Sequence, residues 1–513
     1  MRRSRILTLL ASAPLLVSAE CPDYLNYASD VHEPLSSGKY HLSSMRPSED
    51  CRTFKSQGIE DLITRMESVI KDPDLYRLFS NAYPNSLDTA VKWKGFAANN
   101  SEEELTFLIT GDINAMWLRD SANQMQSYLP VLNASTDPNS IASLYRGVIN
   151  LQARYLLTSP YCNSFQPPPE SGVPVAENPS ASQDNVFPKY NNDSVFECKY
   201  ELDSLAAFLE VSANYYNATG DAAFFGKFQW VSAVEAVLKV AEDMMTPTYG
   251  SDGEVLESPF TFTRYTSRST ETLANDGLGN PVANGTGLIR SAFRPSDDST
   301  IFQLFIPANM MFSSYLSSTS EIMNKLNTSN SGALAQKMSS LSKSLHDAVE
   351  KYGIVDHPTH GEIYAFEVDG FGSTTIMDDA NIPSLLSAPF LGYPVNDEVY
   401  SNTRELVLSA TDPYFMRGPV ISAIGGPHQG PGMAWPMASI VRILTSDDDD
   451  EIVGELRQIL ASTDGLGLIH ESVNSFNASK WTRQWFSWAN GLFGQMILDL
   501  EQRKPDLLQT SFQ

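Results

Sequence analysis

The feature that most constrains this chain is a helical rhythm that fills most of its length without settling into a fixed repeat. In 139–157, Ile141, Leu144, Val148 and Leu151 fall at helical spacing. Comparable amphipathic or apolar stretches predict helices over 200–216, 222–245, 301–316, 332–352, 397–409, 433–444, 451–462 and 482–501. The first two of these are joined only by Ala218-Thr219-Gly220. Strand signals are few and short, such as 361–368. Successive antiparallel helix pairs with polar loops between them point to an all-α toroid with function in its loops. An open α-solenoid is the alternative, and the lack of a sequence period counts against it.

No convincing linker divides the region 57–505, so one catalytic-sized domain is expected. The turn-rich stretch 166–178 lies between Cys162 and Cys198, and a disulfide there would make it an excursion from that domain. Residues 20–56 read as a leader packed on the main body, and 506–513 as a tail. Residues 1–19 have the form of a secretory signal: Arg2, Arg3 and Arg5, a short apolar run, then Val17-Ser18-Ala19. No later run approaches the roughly 20 apolar residues of a membrane span, so secretion or a secretory-pathway lumen is expected. Asn99, Asn133, Asn192, Asn217, Asn284, Asn327 and Asn477 are potential glycan acceptors in such a setting. Four cysteines allow three pairings; Cys21–Cys51 and Cys162–Cys198 are favoured because each closes a local loop.

The formal charge is −26, and −29 once a leader with three arginines and no acid is removed. Such a surface repels phosphate backbones, which argues against nucleic acid and for a neutral substrate. The run Asp447 to Asp450 reads as a solvated turn rather than a calcium loop. His357 and His360 have metal-like spacing but lack partners, so no metal is expected. Nucleophile elbows, phosphate loops and zinc-protease motifs are missing from the sequence. With seven histidines in 513 residues, acid–base work falls to carboxylates.

Four polar clusters could carry it. Gly111 to Ser121 places Asp112, Trp117, Arg119 and Asp120 together; indole can stack on a sugar face while Arg and Asp hydrogen-bond its hydroxyls. An ordinary Arg–Asp ion pair at a helix start is the competing reading. Phe293 to Ser299 sets Arg294 beside Asp297 and Asp298. Ser296 or Asp297 could cap a following helix, yet two adjacent carboxylates drawn into a pocket would raise the pKa of one. Gly465 to Ser472 offers Glu471 as a proton acceptor, followed by Trp481, Arg483, Trp485 and Trp488, which could equally be core. Gly425 to Trp435 is a loop of similar character, with His428 and Trp435.

The runs GDINAMWLRDSANQ, KYELDSL, FRPSDD, MDDANIPSLL, GPHQGPGMAWPM and GLGLIHESV, in this order, resemble glycoside hydrolase family 125, the metal-independent exo-α-1,6-mannosidases. The resemblance spans about 59–500 and is similar to a secreted fungal member. It implies an (α/α)6 barrel, net inversion, no cofactor, and a mannose-containing oligosaccharide or glycoprotein glycan as partner. It also implies an acid within the FRPSDD run and Glu471 as base. Related inverting barrels put the acid at the first carboxylate of such a pair, favouring Asp297 over Asp298. Asp112, Trp117, Arg119, Asp120, Arg294, Asp378, Asp379, His428 and Trp435 are the implied sugar-binding set. An inverting glucosidase of glucoamylase type, or a glycan-binding lectin, are the alternatives.

Overall fold

The computed structural model describes residues 21–326 and 328–513; the expected signal 1–19 and the acceptor Asn327 lie outside the described residues. Among the described residues twelve helices have nine residues or more. Leu118–Gln126, Leu202–Thr219, Ile306–Lys325, Pro436–Leu444 and Ser487–Arg503 form the inner wall of a barrel. The Leu118 helix touches the Leu202 and Ser487 helices, the Leu202 helix touches the Ile306 helix, and the Ser487 helix touches the Pro436 helix. All nine residues of the Leu118 helix are buried, as expected of a helix with neighbours on every side. Chain order leaves 378–392, a buried run of turns, as the sixth inner segment. Ile141–Thr158, Trp230–Asp243, Ser331–Tyr352, Asp397–Val407 and Asp449–Ala461 follow the inner segments as outer helices. Pro73–Ala82 packs on the Ser487 helix and completes the outer ring. The architecture is an (α/α)6 barrel.

Short strands explain where the sequence-predicted helix starts drift. Leu304–Phe305, Met433–Ala434 and Asn477–Thr482 are strands, so the helices expected from 301, 433 and 482 begin at Ile306, Pro436 and Ser487. Proline in the first turn fits the Ile306 and Pro436 starts. The stretch 222–245 is two helices, Ala222–Phe225 and Trp230–Asp243. The hairpin Val91–Ala97/Asn100–Leu108 was not legible in the sequence.

These strands also build the working end. Three small antiparallel sheets each contain a strand that runs directly into an inner helix: Met116–Trp117 before Leu118, Leu304–Phe305 before Ile306, and Met433–Ala434 before Pro436. The loops between the sheets therefore gather at the N-terminal ends of the inner helices.

Both local disulfides form, Cys21–Cys51 and Cys162–Cys198. The excursion between the second pair stays on the domain, since Asn185–Phe187 pairs with Thr261–Thr263. The N-terminal segment packs through Ala28 and Met45 against Leu466, Leu468 and Trp485. Residues 506–513 are docked rather than trailing: Leu508 and Phe512 are buried, and the Phe512 N–H donates to Asp72 at 2.7 Å. The acidic run is a helix start, not a free turn, because Asp448 accepts from the Glu451 N–H at 2.9 Å. All six described acceptor asparagines are exposed, and no described helix is long and apolar enough to cross a membrane.

Candidate active site

At the N-terminal ends of the inner helices lies a cavity of about 480 Å³ lined by Trp117, Arg119, Asp120, Lys199, Asp297, His428, Trp435, Glu471 and Arg483, among others. One wall carries Asp297. The FRPSDD run is a tight turn and not a helix start: the Asp297 N–H donates to Arg294 O at 2.9 Å, and the Arg294 N–H to Asp298 O at 2.8 Å. Asp297 itself sits at φ 64°, a left-handed conformation that aspartate tolerates better than most residues. The turn sends the two aspartates in different directions. Asp297 reaches the cavity with its side chain 26 % exposed, whereas Asp298 is 2 % exposed. Asp298 accepts from the Ser296 hydroxyl at 3.1 Å and faces His428 Nδ1 at 3.4 Å.

Asp297 Oδ1 accepts from Asn163 Nδ2 at 2.9 Å and Trp117 Nε1 at 3.3 Å, with Arg119 Nη2 at 3.8 Å. Lys199 Nζ donates to the Asp297 backbone carbonyl at 2.8 Å. Behind this lies Glu201, which accepts from Arg119 Nη1 at 2.7 Å, Asn163 Nδ2 at 3.0 Å and Ser204 Oγ at 2.9 Å. The carboxylate that shares Asp297's environment is thus Glu201, which corrects the expectation that the adjacent Asp298 would. Burial raises Glu201 well above the usual carboxylate range, despite Arg119. Burial also acts to raise Asp297, but Arg119 and Lys199 outweigh it and hold Asp297 below that range.

A second wall carries Glu471, 7 % exposed, immediately before strand Ser472–Asn474. Its carboxylate accepts from Thr482 Oγ1 at 2.8 Å, Gln429 Nε2 at 3.0 Å and Arg483 Nη1 at 3.3 Å. The pairing of Ser472 with Thr482 puts that hydroxyl in reach. Arg483 is fixed in turn by Asp112 through both Nε and Nη2. The Gln429 loop can lie this close because of its glycines: a Cβ on Gly426 would sit 2.6 Å from Asp379 Oδ2.

Comparison with known proteins decides what this geometry belongs to. A family profile described as metal-independent alpha-mannosidase (GH125) matches residues 72–498. The chain belongs to this mannosidase family. It is 45 % identical over 492 residues to the meiotically up-regulated gene 157 protein of Schizosaccharomyces pombe, covering 95 % of this chain and 94 % of that one. It is also similar to the solved structure of a Streptococcus pneumoniae protein of the metal-independent alpha mannosidases, in non-productive complex with alpha-1,6-mannobiose. There the identity is 32 %, the TM-score 0.76, and the cover 88 % of this chain and all of that one.

Within this mannosidase the sugar-binding set read from the sequence divides. Trp117, Arg119, Asp120, His428 and Trp435 line the cavity. Arg119 Nε, Asp120 Oδ2 and Trp435 Nε1 are buried without a hydrogen-bond partner among the described residues, although Asp120 Oδ2 lies 3.4 Å from Arg119 Nη2. Asp112, Arg294 and Asp378 are placed otherwise. Asp112 holds Arg483, and Arg294 Nε holds the buried Glu367 at 2.7 Å. Asp378 accepts from the Leu385 and Leu386 N–H groups at 2.9 Å each and shapes the sixth inner segment. Asp379 is buried beneath Gly426, bonded through Oδ1 to Asn381, which itself reaches the cavity. Burial works against a charged His428, but Asp298, Glu471 and Asp297 outweigh it and raise its pKa. His357 and His360 lie half-buried on a hairpin and are absent from the cavity lining.

Asn163, Lys199, Glu201 and Gln429 went unassigned in the sequence. The run KYELDSL holds two of them and was visible as a motif, but nothing in it says which side chains turn inward. Asn163 carried one signal, its position beside Cys162.

Proposed function

We propose that this protein is an exo-acting, inverting mannosidase that removes terminal α-1,6-linked mannose from oligosaccharides or glycoprotein glycans in a secretory compartment. The observation that carries the reading is that Asp297 and Glu471 both line one cavity. Asp297 protonates the glycosidic oxygen while Glu471 takes a proton from water attacking the other face of the ring. Such a pathway needs a carboxyl separation of roughly 6.5–9.5 Å. Arg119, Asp120, His428 and Trp435 in the cavity lining supply hydroxyl recognition. The α-1,6 preference is supported by the mannobiose bound to the pneumococcal relative. The secretory setting is supported by the exposed glycan acceptors and the two disulfides.

The test is hydrolysis of α-1,6-, α-1,2- and α-1,3-mannobiose by purified protein in EDTA, with the first product read by proton NMR. The expected result is turnover of the α-1,6 substrate giving β-mannose before mutarotation. Initial α-mannose would remove Glu471 as a base for water. Activity that vanishes in EDTA and returns with calcium or zinc would remove the two-carboxylate mechanism.

A further inference from the structure

We infer that Glu201 is the proton-holding partner of Asp297: the two carboxyls keep one proton between them in the resting enzyme, and Glu201 positions and reloads the acid. The inference rests on the hydrolytic reading above.

The geometry begins with Asn163. Its Nδ2 donates to both carboxyls, at 3.0 Å to Glu201 Oε1 and 2.9 Å to Asp297 Oδ1, which brings them side by side. Arg119 spans the same pair from the other side. The charge balance of this wall then demands a proton. Asp120, Glu201, Asp203 and Asp297 are four carboxylates; Arg119 is the cation within 4 Å of them, and Lys199 stands nearby with its Nζ on the Asp297 backbone carbonyl. Lys199 is also shared with Glu197 at 3.6 Å. Glu201 and Asp203 are 0 % exposed and Arg119 is 4 % exposed. Uncompensated negative charge in so dry a wall is costly, and a carboxyl there keeps a proton instead. His428 also acts on Asp297, and Arg483 on Asp120.

The two partners divide the work by position. Glu201 is absent from the cavity lining and Asp297 is part of it, so the proton is kept on the buried carboxyl and leaves through the accessible one. Burial raises Glu201, while Arg119 and Lys199 hold Asp297 down. Asp297 alone would therefore be ionised and could not act as an acid. As the bond from the anomeric carbon to the leaving oxygen breaks, its electron pair stays on that oxygen. The oxygen takes a proton from Asp297, and Glu201 gives its proton to Asp297. Water bonds to the anomeric carbon and gives a proton to Glu471. Both carboxyls of the pair end ionised, Glu471 returns its proton to solvent, and the pair takes one back through Asp297. The sum is one water consumed per bond.

Glu201→Gln preserves shape and contact with Arg119 but cannot store the proton. Wild-type and variant are compared for kcat/KM against pH on α-1,6-mannobiose and on α-mannosyl fluoride, whose leaving group needs little protonation. On the disaccharide the variant should lose about 10²-fold, and its alkaline limb should fall by about one pH unit or more. The fluoride should be spared by comparison, with KM little changed. Equal losses on both substrates with an unmoved limb would reduce Glu201 to a structural residue. If the Gln variant does not fold, Asn163→Ala reads the same pair. It removes a donor that favours the ionised carboxyls, so the limb should rise; an unmoved limb there overturns the inference. Wild-type inactivity on both substrates would instead overturn the hydrolytic reading, and this inference with it.

Discussion

In the proposed mechanism the wall that carries Asp297 and the wall that carries Glu471 each contribute one reacting carboxyl, but they are built in opposite ways. The Asp297 wall crowds four carboxylates around Arg119 and Lys199 and buries most of them. The Glu471 wall gives its carboxylate a hydroxyl, an amide and one arginine already matched by Asp112. An acid must hold a proton until the leaving oxygen needs it, and a crowded, dry, anionic wall does that. A base must stay open to one, and donors that fit a carboxylate do that. Their supports differ as well. The Cys162–Cys198 disulfide lies within the first wall, with Asn163 and Lys199 each next to a bridged cysteine and the Lys199 N–H donating to Asn163 Oδ1 at 3.1 Å. The second wall is backed from outside: the Ser43 N–H donates to Gly465 O at 3.0 Å and Asn81 Nδ2 to Gly467 O at 2.8 Å.

The comparison breaks most visibly if the two carboxyls respond alike to the leaving group. Glu471→Gln should lower turnover by about 10²–10⁴-fold on α-1,6-mannobiose, and by a similar factor on α-mannosyl fluoride, because both need an activated water. Asp297→Asn should cost the disaccharide about as much and the fluoride far less. Steady-state rates on the two substrates check this. Equal sensitivity in Asp297→Asn would take the acid role from that wall.

A smaller effect separates the two supports. Replacing Cys162 and Cys198 by serine loosens the segment that holds Asn163 and Lys199. Misplacement of catalytic groups by about 1 Å can cost about 10²-fold, so the disaccharide rate should fall by up to about that factor, more than the fluoride rate. Replacing Cys21 and Cys51 should leave the ratio of the two rates unchanged, since that bridge tethers the segment behind Glu471. A shifted ratio in the second variant would mean the supports are not confined to their own walls.

The same contrast explains what was legible in the sequence. The barrel could be read because nine amphipathic or apolar stretches carry their own periodicity. Glu471, Trp117 and His428 could be singled out because glycines and aromatics cluster around them. Two-residue strands such as Met116–Trp117 are too short to leave a pattern, and they decide where the inner helices begin. Asp378 shows the opposite failure. It belongs to a polar motif, yet it serves two backbone N–H groups, a role set by the turn and not by the composition. Glu201 was missed because its importance comes through Asn163, which lies 38 residues before Glu201 and 134 residues before Asp297.

The smallest effect should come from Asp298, and it tests whether adjacency in sequence means shared chemistry. Asp298 is absent from the cavity lining and faces the Ser296 hydroxyl and His428. Its charge helps raise the His428 pKa against burial. Asp298→Asn removes that charge, so His428 should lose its proton at a lower pH than in the wild type. NMR titration of the imidazole measures this directly. On activity the variant should weaken the disaccharide and the fluoride by similar factors, because a histidine on the cavity rim touches the sugar in both and the leaving group in neither. That common factor should stay well under the roughly 10²-fold expected for loss of an acid. Were Asp298→Asn instead to spare the fluoride and cripple the disaccharide, the acid would be Asp298. The left-handed turn at Asp297 would then serve to hold its neighbour, and the crowded wall around Glu201 would be tuning a residue that never donates.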